Sequence, residues 1–462
     1  MVEINFGYLV LVESLNTIRL EKFEIKVREI FHFIAEYGIK NKPLDFRNLE
    51  NITEQDKIEF LIQVHKGFRL GQNLIIQEIL PLLLVLKEIK QKIKETRQNK
   101  NKDLVQKLNS ELRITEYKIK ILRHFADFIA WQIFKGDYYK ARRFFSGDTN
   151  RPDLLNTNLQ SVIKAVEHFH NEDNGCFALI TDLTSFIDIG DILLIKENTI
   201  AIVECKEGTV QKKIFEFFDY IDKDNFDVAK VDYSDKNNKF FDQAERTLKQ
   251  MEKGIKVSNF LKNEEGIDPF SNEKIKILES THQRKYYFEY LMNLIEESKK
   301  NNSAYGEIEE IIYIGIYQEN KRAISPYLFK EIVNHIYNKK IIVDYISLIG
   351  MPLKDPMFFK PFGVENIFDI MFGRLKIYLA INLDRLIELF NSKGINAKWL
   401  SKKETHKILD TERKYKPFIF ENRAIEITVN NQKVTIGDSF LIYLLFDNLM
   451  PSSFVDTYKN IK

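Results

Sequence analysis

The sequence predicts an α/β core set between a largely α-helical N-terminal domain and an α+β C-terminal region. Apolar residues recur at three- and four-residue steps up to about residue 150, as in Ile18, Phe23, Ile30 and Phe33. The period then turns strand-like near residue 176, and strands and helices mix again after about residue 340. With 462 residues the chain exceeds the usual size of one hydrophobic core, so two or three domains are expected, divided as 1–150, 151–340 and 341–462.

In the first region a short apolar stretch at Phe6 to Val12 reads as a strand. From Leu82 to about Phe134 two long helices are expected, meeting at the polar break Asn99-Lys100-Asn101 as an antiparallel hairpin. The tract Lys87 to Lys107 carries eight basic residues against three acids, a balance well above the chain average. The turn-rich segment Ser146 to Pro152 marks a linker, and a helix is expected near Leu155 to His170. Strand patterns follow at Cys176 to Thr184, Asp191 to Ile195 and Thr199 to Cys205, with Glu197-Asn198 as a turn. Helical patterns resume at Val210 to Ile221 and Phe240 to Phe260, and Ile311 to Tyr317 reads as a central strand, apolar on both faces. The last region is expected to hold a strand at Ile341 to Ile349, a long helix at Ile367 to Phe390, and a hairpin turning at Asn430-Asn431.

Composition narrows the function. Apolar content of 44% and charged content of 29% describe a soluble globular protein. The formal net charge is only +2, so any nucleic-acid contact must come from local patches. Two cysteines, Cys176 and Cys205, lie in apolar runs and fit a reducing compartment better than a disulfide framework. The start lacks the basic n-region of a signal peptide, and the longest apolar block, Ile79 to Leu86, falls short of the ~20 residues of a membrane span. A cytoplasmic protein with no membrane partner is expected. No GxxxxGK[ST] loop is present, which argues against an intrinsic ATPase. His168 and His170 diverge by about 200° on a helix, which argues against a shared zinc ion.

The informative stretch is Asp188-Ile189-Gly190-Asp191, an apolar strand, a turn, a second apolar strand, then Glu204-Cys205-Lys206. Phosphodiester hydrolysis at neutral pH calls for a divalent ion, and Mg²⁺ takes oxygen ligands, usually one or two carboxylates. Asp191 and Glu204 would supply them from neighbouring strands. Residues two apart on a strand share a face, so Lys206 would stand beside Glu204 and orient the attacking water, while Cys205 points to the core. Glu-x-Lys alone is common here, recurring at Glu24, Glu88 and Glu116 in helical contexts. The combination with Gly190-Asp191 and two strands carries the weight. A plain hairpin ending in a surface Glu and Lys is the competing reading.

On those residues the chain resembles the PD-(D/E)XK nuclease superfamily, with its restriction-endonuclease-like fold, over about residues 155–320. Gly190 stands where the family commonly has proline. The resemblance implies an α-β-β-β-α-β core with a long insertion before the last strand. It also implies a Mg²⁺-dependent endonuclease in which Mn²⁺ substitutes, acting on DNA in preference to RNA, with a role in bacterial restriction or anti-phage defence. Asp191 and Glu204 would be metal ligands, and Lys206 would be catalytic. A helical acid that would also hold the metal matches Glu167, which follows the stripe Leu159, Val162, Ile163 and Val166, and a helical glutamine that would be catalytic matches Gln243 rather than Gln250. The alternative is a catalytically inactive nuclease-fold protein that binds nucleic acid or serves assembly. The N-terminal helices are candidates for docking a second copy or a partner protein. Lys140-Ala141-Arg142-Arg143-Phe144-Phe145, cations beside aromatics, is a candidate nucleic-acid contact, as is the Lys87 to Lys107 tract.

Overall fold

The computed structural model describes residues 20–45, 47–147, 151, 153–197, 199–205, 238–276, 283–334, 339–349, 351–409, 417–437 and 439–459. The strand expected near Phe6 and the helix expected at Val210 to Ile221 lie outside them. The chain forms two compact units, Lys22–Ile277 with Gly350–Pro356 and Leu278–Ile349 with Met357–Lys462. The units are not divided at residues 150 or 340. The N-terminal helices belong with the Asp191 hairpin, and residues 278–349 and 357–462 belong to the other unit.

In the first unit, α1 (Glu21–Phe31) and α2 (Tyr37–Asn41) precede a long hairpin of α3 (Glu54–Gln98) and α4 (Lys102–Ile133). Thr53 and Asp56 close α3 with reciprocal side-chain bonds to each other's backbone N–H, which satisfies two orphan donors of its first turn. At the far end Lys100 takes a positive φ of 54°, and the Asn101 side chain accepts the Leu104 N–H to start α4. Ile89, Ile93 and Leu108 are buried there with Leu112 against them, so this end is held by its own apolar seam. The other half of α4 is buried on every side from Ile121 to Trp131.

Short α5 (Tyr138–Arg142) leads to α6 (Leu159–Glu172) and a three-stranded antiparallel sheet in the order β1 (Phe177–Ile180), β2 (Ile192–Lys196), β3 (Thr199–Val203). β1 is an edge strand, and its outward backbone groups are met by side chains. Gln72 of α3 donates to Ala178 O at 3.0 Å and accepts from Ile180 N at 2.9 Å, and His170 Nε2 accepts from Ala178 N at 3.0 Å. Among the described residues no strand pairs with that edge, and one carboxamide does the work of a neighbouring strand. Arg69 donates to the carbonyls of His170, Asp173, Asn174 and Cys176, and His65 Nδ1 bonds Gly175 O at 2.6 Å. By length and composition α3 is long and apolar enough to cross a membrane, with 22% of its apolar window buried. The unit continues with α7 (Asn238–Asn263) and the hairpin of β4 (Glu265–Ile267) and β5 (Lys274–Lys276).

The second unit is built on a four-stranded antiparallel sheet in the order β6 (Ser303–Ile308), β7 (Ile312–Gln318), β9 (Leu375–Asn382), β8 (Lys340–Asp344). The Ile311 to Tyr317 strand is therefore central, but in this sheet and not in the sheet of Asp191. Its apolar faces are covered in part by α8 (Phe288–Asn301) and α9 (Ser325–Asn334). The single helix expected at Ile367 to Phe390 is instead α10 (Val364–Met371), β9 and α11 (Leu383–Ser392). Gly373, at φ 75°, ends the first helix, and the fully buried LKIYLAIN run forms the strand. The Asn382 side chain then caps the second helix by accepting Arg385 N. A smaller sheet pairs β10 (Ala397–Trp399), β11 (Ile419–Phe420) and β13 (Gln432–Thr435) with β12 (Arg423–Val429). Asn430 and Asn431 sit at φ 50° and 62° in its turn, the expected hairpin geometry.

Candidate active site

Asp191 immediately precedes β2, the central strand of the first sheet, and its backbone is bonded on both sides. Its N–H donates to Val203 O at 2.9 Å and its carbonyl accepts from Thr181 N at 3.1 Å. The β2–β3 register pairs Ile192 with Val203, so Asp191 lies beside the residues that follow β3. Its Oδ2 accepts the Cys205 N–H at 2.6 Å, while Asn158, at the start of α6, donates to Cys205 O at 3.0 Å. The chain immediately after Glu204 is thereby held from two directions. Gly190 makes the approach workable. At φ 77° it takes a conformation that L side chains rarely adopt, and a Cβ there would stand 2.5 Å from Ile202 Cγ2.

Glu204 is half-buried at the end of β3. With Ile202, two residues earlier on the same strand face, it lines a groove of about 400 Å³ whose other wall is α7. That wall presents Gln250, Met251, Gly254, Ile255, Ser258 and Asn259. Lys206 lies outside the described residues. Asp191 and Glu204 are thus brought to one end of one hairpin, and the glutamine across from Glu204 is Gln250. Gln243 is exposed two helical turns away and does not line the groove. Both glutamines share a helical face, so the choice between them depended on which turn of α7 lies against β3.

Glu167 is not brought into this arrangement. The buried stripe of α6 is Leu159, Val162 and Val166, with Ile163 only half-buried, so the next residue turns about 100° away and stands in solvent. Among the described residues no three His, Cys, Asp or Glu side chains form a ready metal-holding group. Two carboxylates remain from the expected ligands, and all-oxygen donors of that kind fit a hard divalent cation such as Mg²⁺.

Asp182 was missed in the sequence. It lies in the short turn Thr181–Leu183 after β1, and the β1–β2 pairing of Ile180 with Ile192 carries it toward Gly190 and Asp191. Burial raises its carboxyl pKa, the Arg151 charge lowers it, and the negative charge of Asp191 raises it again. The available signal was a polar Thr181-Asp182 pair at the end of an apolar strand. Arg123 donates to the carbonyls of Asp182 and Thr184, which fixes the turn. Asp188 is taken up structurally by Ser146 N, Ser146 Oγ and Arg151.

Two other sequence candidates have structural roles. His170 is an acceptor for β1, and burial lowers its pKa to about 4, so it is neutral near pH 7. His168 instead pairs with Glu172 at 3.3 Å on the surface. In the 140–145 tract Phe144 and Phe145 are buried, Phe144 against Phe134 at 5.0 Å, and Arg143 is bound to Asp268. Those aromatics pack the core and offer no stacking platform to a base. No family model, curated protein or solved structure matches the chain.

Proposed function

We propose that the first unit is a metal-dependent endonuclease that hydrolyses phosphodiester bonds in DNA in preference to RNA. The observation that carries this reading is the hydrogen bond from Cys205 N to Asp191 Oδ2, which keeps one carboxylate beside the strand end that bears the other. Asp191 and Glu204 would hold Mg²⁺, or Mn²⁺ in its place. When bound, the ion supplies polarisation of the scissile phosphate and acidification of water. Asp191 is oriented by its own bond to Cys205, which occupies one lone pair and leaves others for a ligand. Lys206, two residues beyond Glu204, would orient the attacking water and offset charge gathering on the phosphate. Gln250, on the opposite wall of the groove, would position the sugar-phosphate backbone. The resemblance to the PD-(D/E)XK nucleases supports a bacterial defence role and a specificity set by the rest of the chain.

The rival is a protein of the same fold that binds nucleic acid or assembles with a partner without turnover. Incubation with duplex DNA and Mg²⁺ separates them. The active reading expects cutting that EDTA stops and that Glu204→Ala lowers by about 10³-fold or more without loss of fold. Equal cutting by wild type and Glu204→Ala would overturn the site. No cutting, with no calorimetric Mg²⁺ binding that depends on Asp191, would select the rival.

A further inference from the structure

The distal half of α3 carries a feature that the cleavage site does not use. Lys87, Lys90, Lys94 and Arg97 follow one another at steps of three, four and three residues. At 100° per residue they fall within an arc of about 80°, along about 15 Å of helix. All are exposed. Lys90 pairs with Glu116 at 3.8 Å, with both side chains about half exposed, and the other three make no ion pair among the described residues. The two acids of the same stretch, Glu88 and Glu95, project at about 80–100° from Lys87 on the other side, so the charges are sorted by face. The apolar residues Ile89 and Ile93 are buried in the seam with Leu108.

We propose that this stripe is a second DNA contact, outside the groove at Glu204, that follows the phosphate backbone of the substrate independently of its sequence. It rests on the proposed function only in naming DNA as the polyanion. Cations repeated every 4.5–6 Å along a line match a regular row of phosphates, whereas a small anion calls for donors that converge on one point. An anionic membrane is a poorer fit. A membrane-binding helix needs an apolar face beside its cations that is free to insert. No residue from Lys87 to Arg97 is both apolar and exposed, and the exposed Leu84 and Val85 of the preceding turn project about 60° and 160° from Lys87, away from the stripe.

The test is fluorescence anisotropy of the full-length protein on a labelled 30-base-pair duplex, in EDTA, from 50 to 300 mM KCl. Replacing Lys87, Lys90, Lys94 and Arg97 by glutamine should reduce the slope of log affinity against log salt by about 3–4, from about 0.9 per neutralised phosphate. Lys92→Gln, off the stripe, should change the slope by less than about 1. Circular dichroism and thermal melting of the variants check that the hairpin is intact. Unchanged slope and affinity in the fourfold variant would overturn the proposal. So would wild-type binding to phosphatidylserine vesicles without binding to DNA. The readout is separate from catalysis. Loss of cutting in Glu204→Ala with the stripe effect intact speaks for both sites, whereas an absent stripe effect beside normal cutting removes only this one.

Discussion

Gly190 is subject to two constraints that act together. Its φ of 77° disfavours any side chain, and the space where a Cβ would sit is filled by Ile202 Cγ2 at 2.5 Å and Val203 O at 3.3 Å. Gly190→Ala should therefore destabilise the protein by about 2 kcal/mol or more, combining backbone strain with overpacking against β3. Gly136→Ala is the matched control. It has a positive φ of 72° but open space around it, so about 1 kcal/mol is expected from the backbone alone. Urea unfolding of the two variants checks the difference, and equal losses would mean that β3 yields to the added methyl. At this scale the candidate site was partly legible. Gly-Asp before a strand and Glu-x-Lys after the next located Asp191 and Glu204, because hairpin register follows from alternation and a short turn. Asp182 and Gln250 were not, because their positions depend on pairings across β1–β2 and β3–α7 that no local period records.

At the scale of elements, α3 is joined to the sheet by Gln72 more than its apolar pattern suggests. Gln72 is 1% exposed and serves two backbone groups of β1. Gln72→Leu would leave Ala178 O and Ile180 N buried without that partner, at a cost of about 2–4 kcal/mol. Amide exchange at Ile180 should accelerate with it. The exposed Gln77→Leu should stay within about 0.5 kcal/mol of wild type. If both variants matched wild type, α3 would be docked by its apolar side chains alone. The α3–α4 hairpin, α6, α7, the β2–β3 hairpin and the Asn430-Asn431 turn were readable because each is set by near neighbours. Two things were not. Ile311 to Tyr317 read as a central strand, yet apolarity on both faces does not say which sheet it joins. The LKIYLAIN run reads equally as a buried helix, and only Gly373 before it and Asn382 at its end mark the boundaries of a strand.

At the scale of the whole molecule, the buried titratable groups predict that acid acts unevenly. In the first unit burial lowers His124 and His170 to about 4, and His65 is lowered as well. A histidine depressed in the folded state contributes stability that is complete above its unfolded pKa of about 6.5 and is lost as pH falls toward 4. For fully buried His124 that contribution reaches about 3 kcal/mol; partly exposed His170 contributes less. Asp127 works the other way. Burial raises it to about 6, despite its bonds from Ser185 N and Oγ, so its protonation restores stability as pH falls from 6 toward 3.8. Asp182, whose carboxyl burial also raises, acts the same way, so two acids oppose three histidines, and the net effect is a loss of stability between pH 6.5 and 4. The described groups shifted most in the second unit are Tyr287, Tyr317 and Tyr378, all raised by burial, which is without consequence in that range. Hydrogen exchange followed by mass spectrometry should therefore show peptides from α4, α6 and β1 losing protection at pH 4.5 relative to pH 7, after correction for intrinsic rates. Peptides from β7 and β9 should keep theirs. His124→Phe should flatten the pH dependence of the first unit even if it lowers stability at pH 7. Parallel loss of protection in both units, or an unaltered slope in His124→Phe, would show that the buried histidines do not control the acid response.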